Sequence, residues 1–329
     1  MEKHPEVKHG KTGALIINLG TPDSTKWLDI RKYLKEFLSD RRVIEVNPII
    51  WQIILNVFIL NLRPSKTAKA YKEIWMKEEN MSPLLYYTKK QAEKLSKSIS
   101  NENLIIDFAM RYGNPSIKSK IIKLHEEGCE NIIILPLYPQ YAAATTATVC
   151  DEVYRTLMNM RWQPSLKIIP HYESDPLYID ALVNSINAKI ESINWKPDLI
   201  LASYHGIPKS YFDKGDPYHC YCHKTTRLVS EKFKSIEIKT TFQSRFGPKE
   251  WLQPYTDKTL ERLPKEGKKN ILVISPGFAS DCVETLEEIS IQGKESFEKA
   301  GGNKFEFIPC LNDNNDHIDL LEYLIKKNF

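Results

Sequence analysis

The sequence predicts an α/β protein with two similar domains, each built on a parallel sheet, that face each other across a shared cleft. Apolar runs alternate with amphipathic helical patterns along the chain, as expected for βαβ units whose sheets are covered on both faces. A chain of 329 residues is long for one core and sufficient for two domains of ordinary size. Three segments of the first half also recur in the second half in the same order, which indicates that the two domains are alike.

Six short apolar runs predict buried strands, and four longer amphipathic stretches predict helices between them. The strands are Ala14–Leu19, Leu104–Ala109, Ile132–Leu135, Leu166–Pro170, Leu199–Ser203 and Ile271–Ile274. The helices are Ser116–Glu127, Thr145–Leu157, Pro176–Ile193 and Lys224–Phe233.

The internal repeat consists of three pairs of similar segments. Leu15–Pro22 resembles Leu201–Pro208, because in both a strand leads into Gly-x-Pro. The second pair is Arg111–Pro115 with Arg245–Pro248, and the third is Gly128–Pro136 with Gly267–Pro276. The boundary between the domains is expected in the segment 171–176, which divides the chain into residues 1–172 and residues 173–329.

Composition excludes several functional classes. With 42% hydrophobic and 27% charged residues the chain is typical of a soluble globular protein. A net charge of +4 with dispersed lysines does not suggest nucleic-acid binding. Six scattered cysteines and a polar N-terminus, MEKHPEVKHGKTG, argue against a disulfide framework and a signal peptide, so we expect a cytoplasmic protein. No phosphate-binding glycine motif occurs, so no nucleotide cofactor is expected.

The apolar segment 48–62 has two interpretations. It is too short, and too often interrupted by amides, to span a bilayer. A buried helix is the simpler interpretation. The alternative is an exposed apolar lip or a membrane-surface helix, which Arg63 and Lys66 favour because they follow at once.

A series of acidic residues follows the predicted strand Ile271–Ile274. Asp281, Glu284 and Glu288 recur at i, i+3 and i+7 without an intervening Lys or Arg, which predicts three carboxylates on one helix face. A solvated face, or a cap by Asp281, is the ordinary explanation. Alternatively, clustered carboxylates raise one another's pKa values and relay protons or pass a cation along.

His205 ends another predicted strand and is followed by Gly206 and Pro208, which stop the strand. A histidine there can accept a proton or ligate a metal, although a buried histidine bonded to backbone is the alternative. In parallel sheets ligands lie beyond the carboxyl ends of the strands. Two facing domains would therefore bring His205 and the acids to one cleft, which favours a site for metal and protons.

Other candidate residues carry weaker signals. His219-Cys220-Tyr221-Cys222-His223 lacks a second ligand pair, so an ordinary helix N-terminus is favoured over a metal or iron–sulfur site. Basic and phenolic side chains suited to anionic groups are Arg63, Lys66, Arg111 and Tyr112. Aromatic residues that would line a flat cavity, or else fill the core, are Tyr138, Tyr141, Phe242, Trp251 and Phe278.

Together these motifs resemble the ferrochelatases, enzymes that insert ferrous iron into a porphyrin, from about Lys11 to the C-terminus. The motifs are Asn18–Pro22, Phe37–Arg41, Arg111-Tyr112, Leu135–Pro139, Tyr204–Pro208, Gln243–Pro248 with Trp251-Leu252, and Ser275–Glu288. The segments Ser82–Tyr86 and Phe37–Arg42 are similar to the proteobacterial branch.

The resemblance implies two Rossmann-like, chelatase-type domains with a porphyrin in the cleft between them. It implies that His205 accepts pyrrole protons and ligates the metal, and that Glu284 is the acid paired with it across the cleft. Asp281 and Glu288 would continue the acid path on a helix distorted by a π turn. Leu19, Phe278, Arg111 and Tyr112 would line the pocket, Arg63 and Lys66 would meet the propionates, and the segment 48–62 would be a lip that touches the membrane.

The resemblance also sets the expected substrates and partners. Fe²⁺ and protoporphyrin IX are the expected substrates, with coproporphyrin III, a non-catalytic tetrapyrrole carrier and an α/β transferase as alternatives. An iron–sulfur cluster is not expected, because the cysteine-bearing extension of animal ferrochelatases has no counterpart here; the roles of Cys220, Cys222 and Cys282 stay open. We expect a monomer in the cytoplasm whose lip makes peripheral contact with the inner membrane.

Overall fold

Two four-stranded parallel sheets form the framework of the protein. The structure, a computed structural model, describes residues 7–329, so the first six residues of the polar N-terminus interpreted above lie outside it. The strand order is β2-β1-β3-β4 in one sheet and β6-β5-β7-β8 in the other. The strands are β1 (Lys11–Thr21), β2 (Leu104–Gly113), β3 (Cys129–Pro136), β4 (Ser165–Ile168), β5 (Leu199–His205), β6 (Ile238–Gln243), β7 (Asn270–Ile274) and β8 (Lys304–Ile308).

The six predicted strands are all present, and the identical strand order agrees with the repeat found in the sequence. The strands that the sequence did not predict are β6 and β8, which lie at sheet edges. Edge strands pack fewer apolar side chains, and Ile238-Lys-Thr-Thr-Phe-Gln243 therefore has no continuous apolar run. The strand ends also match: an added Cβ at Gly20 would lie 1.8 Å from the Tyr112 carbonyl oxygen, and one at Gly206 would lie 2.9 Å from the Gln243 carbonyl oxygen.

Twelve α-helices occur in the described residues. They are α1 (Trp27–Ser39), α2 (Pro48–Ile54), α3 (Leu60–Ile74), α4 (Pro83–Ser98), α5 (Ile117–Glu126), α6 (Thr148–Met158), α7 (Pro176–Ser192), α8 (Lys209–Asp213), α9 (Tyr218–Lys232), α10 (Thr256–Arg262), α11 (Lys294–Lys299) and α12 (Asn315–Lys326). A 3₁₀ turn follows α10 at Leu263–Glu266, and π-helical segments occupy Leu55–Ile59, Ala143–Ala147 and Val283–Gly293.

Helix α9 begins six residues before the predicted Lys224, at Tyr218. The segment 219–223 is therefore helical, and both its cysteines have free thiols, Cys220 exposed and Cys222 buried.

One apolar core joins the two sheets. Ile16 and Leu135 of the first sheet belong to the same buried cluster as Ala202 and Leu272 of the second. Helix α12 reinforces this union, since it packs against α7 and also against α4 of the N-terminal half. The boundary at residues 172 and 173 stays a prediction; it falls in the link between β4 and α7.

The segment 48–62 is an exposed lip, and its interpretation as a buried helix is wrong. Ile49 is 76% exposed, Ile53 58% and Leu62 75%, whereas Leu55 and Leu60 are buried. Leu55 and Leu60 pack in the same buried cluster as Ile30 and Leu34 of α1, while the outer face of the lip remains exposed. In the part of the chain that the structure describes, we find no helix with the length and apolar character needed to cross a bilayer.

Candidate active site

The site lies where the carboxyl ends of the central strands meet the π-helix Val283–Gly293. Leu19 near the end of β1 and His205 at the end of β5 occupy equivalent places in the repeat. The loop that follows β7 leads into the π-helix, which packs against α3, the helix that continues the lip. Parallel strands place their carboxyl ends on one side, so the two halves meet there.

His205 presents one ring nitrogen for chemistry. Its Nδ1 lies 2.6 Å from the carbonyl oxygen of Gly206. Because a carbonyl only accepts, Nδ1 must carry the hydrogen, and the neutral ring then has its lone pair on Nε2. The side chain is half-buried at the end of β5. His205 can therefore accept a proton or bind a cation through Nε2.

Glu288 is held in place by the end of β6. Its carboxylate accepts hydrogen bonds from the backbone N–H and the hydroxyl of Ser244, a residue with φ of +67°. Gln243 Nε2 donates to the Glu284 carbonyl oxygen at 2.7 Å, and Ser203 donates to Gln243 Oε1 at 2.7 Å. Gln243 and Ser244 thus clamp the π-helix. Both residues lie in the ferrochelatase-like motif Gln243–Pro248, but their role could not be predicted without β6.

The charges of Glu284 and His205 both influence the pKa of Glu288, so the three side chains lie near one another. Burial raises the pKa of Glu288; the Ser244 hydrogen bonds and the charge of His205 oppose this shift, while the Glu284 carboxylate adds to it. Burial also raises the pKa of Tyr71 on α3, again with a contribution from Glu284. A carboxyl group whose pKa is raised holds a proton more readily, so Glu288 is suited to proton transfer.

Asp281 does not belong to the helical face predicted for it. The π-helix begins at Val283, so of the three predicted acids Glu284 and Glu288 lie on it and Asp281 does not. Asp281 is 4% exposed, and its carboxylate accepts hydrogen bonds from the Thr285 hydroxyl, the Cys310 N–H and Asn312 Nδ2 at 3.0, 3.2 and 2.7 Å. These bonds tie the loop after β7 to the loop after β8. They favour a positioning role, and direct participation in the acid path stays a prediction.

Replacing Asp281 with Ala should lower the free energy of unfolding by about 3 kcal/mol, because three donors lose a buried acceptor. Urea unfolding followed by circular dichroism measures this change. Asp319→Ala, at an exposed position of α12, is the control and should cost less than about 0.5 kcal/mol. An Asp281→Ala protein with unchanged stability and no metal insertion would instead place Asp281 in the chemistry.

Helix α3, which continues the lip, supplies the basic residues opposite the π-helix. The guanidinium of Arg63 lies 5.4 Å from the centre of the Phe246 ring in the loop after β6. Burial lowers the pKa of Arg63 while the Glu284 carboxylate raises it, which indicates that the two side chains face the same space. Lys66 acts on Glu287: burial raises the pKa of Glu287 and the Lys66 charge lowers it.

Leu19 and Phe278 join the walls of the site. Both pack against a small apolar cluster that contains Met110 and Cys282, so the first sheet and the loop after β7 meet there. In residues 7–329, no three side chains of His, Cys, Asp or Glu converge closely enough to hold a metal ion. Metal ligation by His205 and Glu284 stays a prediction.

Arg111 and Tyr112 form a separate buried cluster with Asp40. Arg111 Nη2 lies 2.5 Å from the Asp40 carboxylate, and its Nε donates to Thr148. The Tyr112 hydroxyl donates to the same carboxylate at 2.9 Å. Arg111 and Asp40 line a groove of about 1040 Å³ that reaches Pro48 at the base of the lip. Since these polar groups are engaged with each other, the predicted contact of Arg111 and Tyr112 with substrate stays a prediction.

Comparison with known proteins gives one family over almost the whole chain. The sequence model described as Ferrochelatase matches residues 11–329. A ferrochelatase of Allorhizobium ampelinum is 56% identical over 328 residues, covering 99% of this chain and 95% of its own length. The ferrochelatase of Rhizobium meliloti is 55% identical over 328 residues, with 99% and 97% covered. That of Francisella tularensis subsp. novicida is 52% identical over 324 residues, with 97% and 96% covered.

Solved structures confirm the chelatase-type fold. SirB from Bacillus subtilis with Fe³⁺ has a TM-score of 0.58 at 11% identity, covering 96% of this chain and 95% of its own. CbiX, described as the terminal enzyme for siroheme biosynthesis in denitrifying bacteria, has a TM-score of 0.52 at 13% identity, with 96% and 99% covered. At such identities the likeness concerns the fold alone.

Proposed function

Because the chain belongs to the ferrochelatase family and is thus an enzyme that inserts iron into a porphyrin in haem synthesis, we propose that its porphyrin substrate is protoporphyrin IX and its product protohaem. The exposed apolar lip carries this choice. Protoporphyrin is more apolar than coproporphyrin III, whose four propionates would require more basic residues. The lip offers a wide apolar face, and Arg63 and Lys66 are the basic residues that we assign to the propionates.

Metal insertion requires that two pyrrole N–H protons leave and that a hydrated Fe²⁺ sheds water. In the proposed mechanism His205 takes one proton on Nε2, which its bond to Gly206 leaves unprotonated in the neutral ring. The opposite wall supplies carboxylates. Glu284 and Glu288 receive the second proton and exchange oxygen ligands with the incoming cation, for which carboxylates are suited. A ring held bent would expose its nitrogen lone pairs, with the strain supplied by binding.

The clamp by Gln243 and Ser244 supports this assignment. It holds Glu288 by two strong hydrogen bonds and Glu284 through its own backbone carbonyl. The Glu288 carboxylate is therefore kept in place before substrate arrives, and the backbone that carries the Glu284 side chain is fixed, which lowers the cost of ordering this part of the site during reaction.

The substrate is tested by anaerobic insertion of Fe²⁺, with Zn²⁺ as a surrogate, offering protoporphyrin IX and coproporphyrin III in parallel. Visible absorbance follows metallation. We expect turnover of protoporphyrin IX to exceed that of coproporphyrin III at least tenfold. The opposite preference would keep the chemistry and change the substrate, whereas binding of both rings without metallation would support a carrier.

We propose that the lip makes peripheral contact with the inner membrane of a cytoplasmic, monomeric enzyme. Ile49→Ser combined with Ile53→Ser should weaken binding to phospholipid vesicles by about 30-fold to 900-fold, since each buried isoleucine contributes about 1–2 kcal/mol and the two together about 2–4 kcal/mol. Co-sedimentation with vesicles measures the change. Met158→Ser is the control, because Met158 is 81% exposed on α6, away from the lip. Equal binding by the lip variant and the control would contradict the contact.

A further inference from the structure

Two histidines lie one turn apart on α9 and take no part in the proposed mechanism. His219 and His223 are at i and i+4, the spacing that places side chains on the same helix face. Their ring centres are 4.5 Å apart. Neither imidazole has a hydrogen-bond partner among residues 7–329. Besides His223, the rings that contact His219 are those of Phe212 and Phe242, which offer no hydrogen-bonding group. The pair therefore has unused ring nitrogens.

Aromatic contacts restrict how the two rings can turn. His219 stacks on Phe242 with ring centres 5.7 Å apart and an interplanar angle of 19°, and it meets the edge of Phe212 at 5.1 Å. His223 lies 6.1 Å from the same Phe242 ring. Rings held by packing lose less entropy when they bind a ligand together. Burial also lowers the pKa of both imidazoles, so their neutral forms, which bind metals, persist to lower pH.

We propose that His219 and His223 form a second metal-binding site, which chelates a borderline divalent transition-metal ion such as Zn²⁺, Co²⁺ or Ni²⁺. Paired imidazoles on one helix face are suited to these ions. Water completes the coordination, because the chain supplies two ligands.

The surroundings of the pair determine which ions it takes. A groove of about 340 Å³ begins at His223 and is lined by hydroxyl groups and cations, with no carboxylate among its lining residues. Arg227 and Arg262, which line it, are each paired with a glutamate. Mg²⁺ and Ca²⁺ require several oxygen ligands, usually carboxylates, and are therefore excluded. The ions that remain are those that prefer imidazole.

This site is separate from the site of metal insertion. Phe242, on which both histidines rest, and Gln243, which clamps the π-helix, are neighbours in β6 and so point to opposite faces of the sheet. The strand therefore lies between the histidine pair and Glu284. Changing the pair should leave metal insertion in place, and a failure of the proposed porphyrin preference would not affect this inference.

The test is titration of the full-length, unloaded protein with Ni²⁺ in a calorimeter, together with the Co²⁺ absorption spectrum. The double change His219→Ala and His223→Ala should remove one equivalent of bound Ni²⁺ while zinc insertion into porphyrin stays within twofold of wild type. His9→Ala, which removes an exposed histidine without a helical neighbour, is the matched control and should keep the wild-type stoichiometry.

The single change His223→Ala, at an exposed position, guards against a folding defect of the double variant and should weaken Ni²⁺ binding at least tenfold. Circular dichroism checks the fold of each variant. An unchanged stoichiometry and affinity in well-folded His223→Ala protein would overturn the proposal, as would an equal loss in His9→Ala.

Discussion

Replacing His205 with Ala will lower the rate of metal insertion by about 10² to 10⁴-fold, the range expected when a general base is removed. The reason is that Nε2 of His205 is the ring nitrogen left unprotonated by the bond to Gly206. The side chain is half-buried at a strand end, so the fold should be retained. Zinc insertion followed by absorbance measures the rate, and thermal unfolding checks the fold.

His171→Ala is the matched control for this experiment. His171 also follows a strand, β4, but its Nδ1 is bonded to Glu173 rather than to a backbone carbonyl. Its removal should leave the rate of insertion within a few-fold of wild type. Wild-type turnover by folded His205→Ala protein would refute the role of His205 as proton acceptor.

Replacing Glu284 with Gln will reduce metal insertion by a similar factor, about 10² to 10⁴-fold, while porphyrin binding is retained. The amide keeps the size of the side chain but cannot take up a proton or carry the negative charge that attracts Fe²⁺. The clamp is unaffected, because Gln243 holds the backbone carbonyl of Glu284 and not its side chain. Fluorescence quenching of bound porphyrin separates binding from insertion.

Glu287→Gln is the matched control. Glu287 lies on the same π-helix, but burial raises its pKa against the lowering effect of the Lys66 charge, and its carboxylate accepts a hydrogen bond from Gln292. It should keep most of the activity. If Glu287→Gln lost insertion and Glu284→Gln did not, the acid of the site would have to be reassigned to Glu287.

Much of this molecule follows from local sequence pattern. The central strands are continuous apolar runs because both faces of a parallel sheet are covered, and such runs are visible without a structure. The internal repeat is visible for the same reason. Both halves have the same strand order, and in both the first strand ends at a glycine that packs closely against the backbone of a neighbouring strand. His205 could be singled out because strand, histidine, glycine and proline are contiguous. Edge strand β6 lacked this pattern, so the clamp at its end could not be placed.

The remaining decisions depend on contacts between distant segments. The i, i+3, i+7 spacing predicted three acids on one helix, but the helix carries two of them. Asp281 lies before the helix, where it is hydrogen-bonded to Asn312 and to the backbone of Cys310, about thirty residues away. Arg111 and Tyr112 are turned to Asp40 by a contact across about seventy residues. The hydrophobic pattern of the segment 48–62 likewise fits both a buried helix and an exposed lip, and the tertiary structure shows that it is exposed. Sequence alone determined the central strands, the repeat and the candidate catalytic residue types, because these depend on neighbouring residues. Tertiary structure decided which side chains meet, because burial and hydrogen bonding depend on what packs against them.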